Sequence, residues 1–185
     1  LDNSWTFIRS EAQTTWSLSE RESYLMLAGS PDRLASTGYP AFIGRRQQHH
    51  SCKITASMAY NPQHDDEAGL TVFMDDKHHY DVGLTKVNGE IQLVLRRQIG
   101  SLIDEKYSKP IDSTAVEIRI EATPTDYQFY YRAGNEPWNL IGEGETRLLS
   151  TEVAGGFTGV FIAMYNYSRY ETKAYFDWFE YEGKE

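Results

Sequence analysis

The stretch from Gly155 to Tyr181 constrains the fold more than any other part of the chain. An apolar run at 160–165 and an aromatic run at 172–181 flank a short polar segment. Two β-rich runs separated by a few polar residues predict a β-hairpin. The first run is apolar on both faces, which is typical of a central strand covered on both sides. We therefore expect a sheet whose remaining strands come from distant parts of the chain.

Alternation of apolar and polar residues marks further strands. The apolar positions of the two clearest runs are Ile54, Ala56, Met58 and Tyr60, and Val116, Ile118, Ile120 and Ala122. Asn88-Gly89 lies between two more β-rich runs and is the strongest hairpin signal in the chain. Trp5 to Arg9 reads as a short strand, and a brief helical turn is expected between Glu145 and Val153. About a dozen short strands without a long amphipathic helix predict an all-β fold, a two-sheet antiparallel β-sandwich (jelly roll), as a single domain over residues 1–185.

The amino-acid composition argues against some classes of binding partner for this chain. A net charge of −9 argues against nucleic acid, which is bound by clustered Lys and Arg. No apolar run is long enough to predict a membrane span. The aromatic share of 14% indicates either β-propensity alone or strands whose outer face contacts a ligand.

The lone Cys52 excludes an internal disulfide framework and is expected to be an inert, buried side chain. That pattern favours a cytoplasmic protein, with secretion as the open alternative. The chain carries no signal peptide and begins Leu1-Asp2 without Met, which predicts a piece excised from a larger protein.

Five motifs, in this order, resemble the C-terminal concanavalin A-like β-sandwich of glycoside hydrolase family 43 β-xylosidases. They are LSERESYLMLAG (18–29), GRRQQH (44–49), EAGLTVF (67–73), GFTG (156–159) and FDWFEY (176–181). The similarity covers nearly the whole chain, and it is the conjunction of motifs that is specific. Glu22-Ser23 departs from the Pro-Gly that the family often has there, which concerns one turn and not the fold.

The resemblance implies an accessory domain without catalytic residues of its own. The parent enzyme would be a β-xylosidase or α-L-arabinofuranosidase whose catalytic carboxylates lie on an N-terminal five-bladed β-propeller. The sandwich would lend a loop to the rim of the active-site pocket, and Phe157 matches the aromatic residue that the family places there. The implied partners are the propeller and a xylo-oligosaccharide or xylan, and parent enzymes of this kind often form oligomers.

Asp177 is the acid that most needs a partner, because it stands between Phe176 and Trp178 and a buried unpaired carboxylate is costly. We expect it to cap backbone N–H groups or to pair with Arg45 or Arg46, which would make these three residues structural. A structural Ca²⁺ at Asp177, or at the acidic loops 65–67 and 75–76, is the minority alternative.

Two further patterns, one of glutamates and one of histidines, could suggest a catalytic site or a metal site. Glu117 and Glu121 on one strand would lie about 13 Å apart, beyond the roughly 5–9.5 Å that a glycosidase carboxyl pair needs. We interpret them, with Arg119, as a salt-bridged solvent face. The adjacent pairs His49-His50 and His78-His79 point to opposite sides of a strand and predict surface histidines, not a zinc site.

Three functions remain to be compared. The first is the accessory sandwich of a family 43 enzyme, with or without xylan affinity of its own. The second is a freestanding lectin-like sugar-binding module, and the third is a sandwich glycosidase acting alone. The Glu117-Arg119-Glu121 pattern argues against the third.

Overall fold

The computed structural model describes residues 1–9 and 15–184, which form two antiparallel β-sheets packed face to face. The strands of the first sheet are β3 (Ala41–Arg46), β5 (Glu67–Asp75), β6 (His78–Val87), β7 (Glu90–Ile99), β8 (Leu102–Tyr107) and β12 (Phe161–Tyr167). Their order across the sheet is β3-β12-β5-β6-β7-β8. The predicted concanavalin A-like sandwich is confirmed.

The second sheet has seven strands. They are β1 (Trp16–Ser17), β2 (Leu25–Ala28), β4 (Ser51–Ala59), β9 (Ala115–Ala122), β10 (Asp126–Arg132), β11 (Asn139–Glu145) and β13 (Lys173–Lys184). Their order is β1-β2-β13-β4-β9-β10-β11. A 3-10 turn at Thr146–Leu149 and a short helix, α1 (Thr151–Ala154), follow β11 where a helical turn was predicted. Within the described residues, no helix is both long and apolar enough to cross a bilayer.

The inner faces of the two sheets form one core, as the alternating patterns predict. The predicted apolar positions on β4 and β9 are all buried, and so is Tyr60 just beyond β4. Cys52 is fully buried among them, as expected. The β6–β7 hairpin forms at Asn88-Gly89, where both residues have positive φ (51° and 86°), as the tight hairpin turn requires.

The expected hairpin between 160–165 and 172–181 is wrong. β12 pairs with β3 and β5 in the first sheet, whereas β13 pairs with β2 and β4 in the second. The segment between them crosses from one sheet to the other and is anchored by backbone hydrogen bonds from Ser168 N to Ser30 O and from Gly29 N to Thr172 O. β12 and β13 are therefore each a central strand with two hydrogen-bonded neighbours, and neither is a neighbour of the other. The strand expected at 5–9 is reduced to a single bridge from Thr6 to Gly44.

A β-bulge explains why β13 is aromatic on both faces. The register slips between Phe176 and Trp178, so that Asp177 is an extra residue without a partner on β4. Before the bulge Phe176 packs into the core, and after it Phe179 and Tyr181 do so. The inward positions therefore change from even to odd numbers.

Candidate functional site

The loop between α1 and β12 carries the ring of Phe157, which is 99% exposed. Gly155 and Gly156 precede it with positive φ angles of 77° and 74°, a conformation that L side chains rarely adopt. The loop therefore turns Phe157 outward and gives it no covering side chain from the described residues. The ring is therefore not packed against the core of this chain.

The end of the sandwich around this loop is also open. A groove of about 420 Å³ lies beside it, lined by segments 47–50, 123–124, 146–147, 149–151 and 159–160. Tyr127 and Gln47 close its floor with a hydrogen bond of 2.8 Å from the Tyr hydroxyl to the amide oxygen. Val153 on α1 is a second exposed apolar side chain at this end.

Asp177 does not have the predicted structural role. The bulge places its carboxylate in solvent, and this carboxylate forms no hydrogen bond or ion pair with any residue in 1–9 or 15–184. Solvent exposure removes the cost that motivated the prediction, because a hydrated carboxylate needs no buried partner.

Arg45 and Arg46 contact aromatic rings and form no ion pair with Asp177. The Arg45 guanidinium lies 5.8 Å from the ring of Trp5 and 5.7 Å from that of Tyr181. Arg46 lies 4.8 Å from Phe161 on the opposite face of the strand. The prediction of an Asp177 pair is therefore wrong for both residues. Their observed contacts are cation–π contacts along β3.

The row Glu117, Arg119 and Glu121 is a salt-bridged face, as predicted. Arg132 pairs with Glu117 at 2.7 Å, and Arg119 lies 3.7 Å from Glu121. Both carboxylates are thus engaged by arginines on the outer side of the sheet. Nothing in this arrangement resembles an acid and a nucleophile facing a shared substrate.

The sequence prediction missed a buried network of charged residues on the outer face of the six-stranded sheet. Its centre is a bidentate pair in which Arg96 Nη1 and Nη2 donate to Glu67 Oε1 and Oε2 at 2.6 and 2.7 Å. The side chain of Glu67 is only 3% exposed. Arg96 Nε donates to Glu105 at 2.7 Å, and the Tyr165 hydroxyl donates to Glu67 at 2.5 Å. Burial and the neighbouring Glu67 raise the pKa of Tyr165 well above its usual value, so its hydroxyl stays a donor.

His79 continues this network, although we predicted a surface histidine. It is 1% exposed, and its Nδ1 lies 2.9 Å from both carboxylate oxygens of Asp81, which also accepts a hydrogen bond from Thr71 Oγ1 at 2.7 Å. Burial alone would lower the pKa of His79, but the Asp81 carboxylate outweighs it and the pKa is raised. For Asp81, burial acts to raise the pKa, and His79 with Arg96 outweighs it, so the pKa is lowered. The charged pair is therefore favoured on both sides.

A sequence signal for this network existed. Polar residues lie on the outer face of three neighbouring strands, at Glu67 and Thr71, at His79 and Asp81, and at Arg96. Leu34 packs over part of this outer face with Phe42, Phe73 and Tyr165. No local pattern predicts that cover.

Three residues of the acidic loops considered for Ca²⁺ have carboxylate oxygens engaged within the chain. Asp66 Oδ2 accepts from Thr172 Oγ1 at 2.6 Å, Glu67 is paired with Arg96, and Asp75 accepts from His78 Nδ1 at 2.9 Å. Among residues 1–9 and 15–184, no group of three or more His, Cys, Asp or Glu side chains is arranged to hold a metal ion.

Comparison with known proteins agrees with the fold. Residues 1–182 match the family described as the β-xylosidase C-terminal concanavalin A-like domain. The chain is 38% identical over 182 residues to a non-reducing end α-L-arabinofuranosidase, BoGH43B, of Bacteroides ovatus, and covers 34% of that protein. It is 26% identical over 173 residues to a xylosidase/arabinosidase of Butyrivibrio fibrisolvens, again covering 34% of it.

Solved structures give the same relationship. The GH43B protein of the Bacteroides ovatus xyloglucan locus superposes with a TM-score of 0.94 at 36% identity, covering 100% of this chain and 37% of that one. A xylan β-1,4-xylosidase from Bacillus halodurans superposes with a TM-score of 0.91 at 26% identity, covering 98% of this chain and 37% of that one. This chain thus spans about a third of the length of these relatives. It belongs to the family of β-xylosidase C-terminal concanavalin A-like domains.

Proposed function

We propose that this chain is the non-catalytic accessory sandwich of a family 43 glycosidase and that its Phe157 loop completes the rim of the active-site pocket. The observation that carries the proposal is a fully exposed phenylalanine ring on a loop whose glycines turn it away from its own core. Apolar ring faces stack on the C–H faces of sugars and pack against partner domains. Either contact would remove the exposed ring from water.

The partner in this proposal is an N-terminal β-propeller that carries the catalytic carboxylates. The share of the relatives that the chain covers, about a third, leaves room for such a domain in the parent protein. The substrate would be a short chain of pentosides ending in xylose or arabinose, because the named relatives are an arabinofuranosidase and xylosidases. The charged residues Glu117 and Glu121 on β9 and Glu67 on β5 are already paired with arginines of this chain. This pairing supports a structural role for them and not hydrolysis.

The test is Phe157→Ala in the parent enzyme. Covering a phenylalanine side chain is worth about 1.5–3 kcal/mol, so we expect kcat/KM for xylobiose or an aryl arabinofuranoside to fall by about ten-fold to one-hundred-fold. The melting temperature of the 185-residue chain should not change, because the ring touches none of its core. A matched control is Tyr170→Ala, which removes an exposed aromatic ring from the segment joining β12 to β13 and should leave kcat/KM unchanged.

Two results would contradict the proposal. A large loss of stability in the isolated Phe157→Ala chain would make the ring part of the fold. Turnover of an aryl xyloside by the 185-residue chain alone would make it an enzyme in its own right.

A further inference from the structure

The buried charged network forms the floor of a groove on the outer face of the six-stranded sheet. The groove has a volume of about 400 Å³, which lies in the range of small-molecule sites. Strands β5 to β8 form the floor, and segment 32–35 forms a wall. β12 runs from the Phe157 loop toward the far end of the sheet, where Tyr165 to Tyr167 line the groove. Five residues of strand correspond to about 16 Å, so the groove is separate from the Phe157 rim.

The polar groups at the mouth of the groove are held in place by the layer beneath them. Arg33 lies over the ring of Tyr167, 3.7 Å from its centroid, and 3.5 Å from Asp65. Tyr107 donates from its hydroxyl to Glu105 at 2.7 Å, and Glu105 is itself bound by Arg96. Arg33, Glu105 and Tyr107 are still partly exposed to solvent. A ligand would therefore meet fixed donors, acceptors and ring faces, at little cost in side-chain ordering.

His79 supplies an unused hydrogen-bonding atom in the floor of the groove. Its Nδ1 is engaged by Asp81, but its Nε2 is buried and has no partner among the described residues. A buried polar atom without a partner costs about 1–3 kcal/mol, and such atoms are rare in folded proteins. Because His79 lines the groove, a hydroxyl group of a ligand is a suitable partner for this atom.

The charges around the groove nearly balance. Five carboxylates, at Asp32, Asp65, Glu67, Asp81 and Glu105, face four basic side chains, at Arg33, Lys86, Arg96 and His79. Such a balance disfavours a strongly charged ligand of either sign. Tyr107 and Ile103 add apolar surface beside these polar groups, as the two-faced surface of a sugar ring requires.

We propose that this groove binds an uncharged sugar ring, with Arg33, Glu105 and His79 contacting its hydroxyl groups and Tyr107 packing against its C–H face. The site lies away from the Phe157 rim, so it would hold a sugar whether or not the loop covers a catalytic pocket. The parent protein would then contact its glycan at two places.

The test uses the 185-residue chain with D-xylose, L-arabinose and xylotetraose as separate probes, followed by ¹H–¹⁵N NMR and calorimetry. We expect at least one of them to bind with a millimolar Kd and to shift the backbone amides of residues 33, 79, 105 and 107. The side-chain Nε2 of His79 should shift as well, since it gains a hydrogen bond. Arg33→Ala and Tyr107→Ala should each weaken binding about ten-fold or more.

One variant serves as a control, because Trp178→Ala removes an exposed ring elsewhere and should leave the Kd unchanged. The proposal is overturned if none of the three sugars shifts the groove amides at a sugar concentration of about 100 mM, which is one hundred times a Kd of about 1 mM. It is also overturned if the shifts cluster at Phe157 or Trp178, or if Arg33→Ala and Tyr107→Ala, shown to be folded by their spectra, bind as the unchanged chain does. These readouts are binding by this chain alone, so they are independent of turnover by the parent enzyme.

Discussion

Arg96→Met should be the most damaging single charge removal on the outer face of the six-stranded sheet. Arg96 donates three hydrogen bonds, two to Glu67 and one to Glu105, and also lies 3.8 Å from Asp81. Methionine can fill much of the space of the arginine stem but provides no charge. The substitution therefore leaves the Glu67 carboxylate, 3% exposed, with Arg33 at 3.9 Å as its remaining cation. It leaves Asp81, also 3% exposed, with His79 alone.

The expected magnitude follows from this burial. Removing one partner of a buried ion pair costs about 3–5 kcal/mol, because the other charge stays desolvated. For a chain of this size 1 kcal/mol corresponds to about 2–4 °C in melting temperature, so we expect a decrease of about 10 °C. Glu67→Gln in the Arg96→Met background should recover part of the lost stability, since it removes the buried carboxylate that had been paired with Arg96.

The assay is urea and thermal unfolding followed by circular dichroism, with Arg132→Met as the matched control. Arg132 donates two hydrogen bonds to Glu117 at 2.7 and 3.0 Å, but the two side chains are 33% and 23% exposed. Pairs with this much solvent access are worth about 1 kcal/mol or less. Equal losses for Arg96→Met and Arg132→Met would refute the argument. A double variant less stable than Arg96→Met alone would do the same.

Three further predictions concern single residues. Stability due to the His79–Asp81 pair should be fully present below about pH 6.5, the unfolded histidine pKa, and decline as the pH rises through the raised pKa of folded His79; the advantage in melting temperature over His79→Gln should therefore shrink with rising pH, and a constant difference would contradict this. Gly83→Ala should lower the melting temperature by several degrees, because a Cβ at this position would lie 2.5 Å from the Tyr165 hydroxyl; an unchanged value would show that the hydroxyl can move. Asp177→Asn should change the free energy of unfolding by less than about 0.5 kcal/mol, since its carboxylate is in solvent, and a loss above about 2 kcal/mol in urea unfolding would restore the buried role.

Period-two alternation predicted the parts of the fold that depend on local pattern. The buried faces of β4 and β9 and the Asn88-Gly89 turn are features of this kind, because the strand repeat and the turn conformation are both set by adjacent residues. The expected β12–β13 hairpin failed because a short polar segment can either reverse the chain within a sheet or carry it to the opposite one. Only the long-range pairing of β13 with β2 and β4 decides between them.

The two candidate sites differ in the same way. Phe157 could be named from the sequence because its glycine neighbours and its motif are contiguous. The groove could not, because Arg96, His79 and Glu67 come from three strands that only the sheet pairing brings together. Asp177 was misjudged because a bulge is a difference in register between two strands, and only the pairing with β4 reveals the extra residue.

The position of β13 has a consequence for how the chain reaches this structure. β2 and β4 lie on either side of β13 and each run antiparallel to it, so they are parallel to each other and do not pair with each other. Until residues 173–184 are synthesised, the strands of the seven-stranded sheet can form only two separate groups, β1-β2 and β4-β9-β10-β11. The edge strand of each group that later pairs with β13 then has unpaired backbone N–H and C=O groups. A nascent or prematurely terminated chain would expose both edge strands to other copies of itself, and synthesis of the last strand removes that risk in one step.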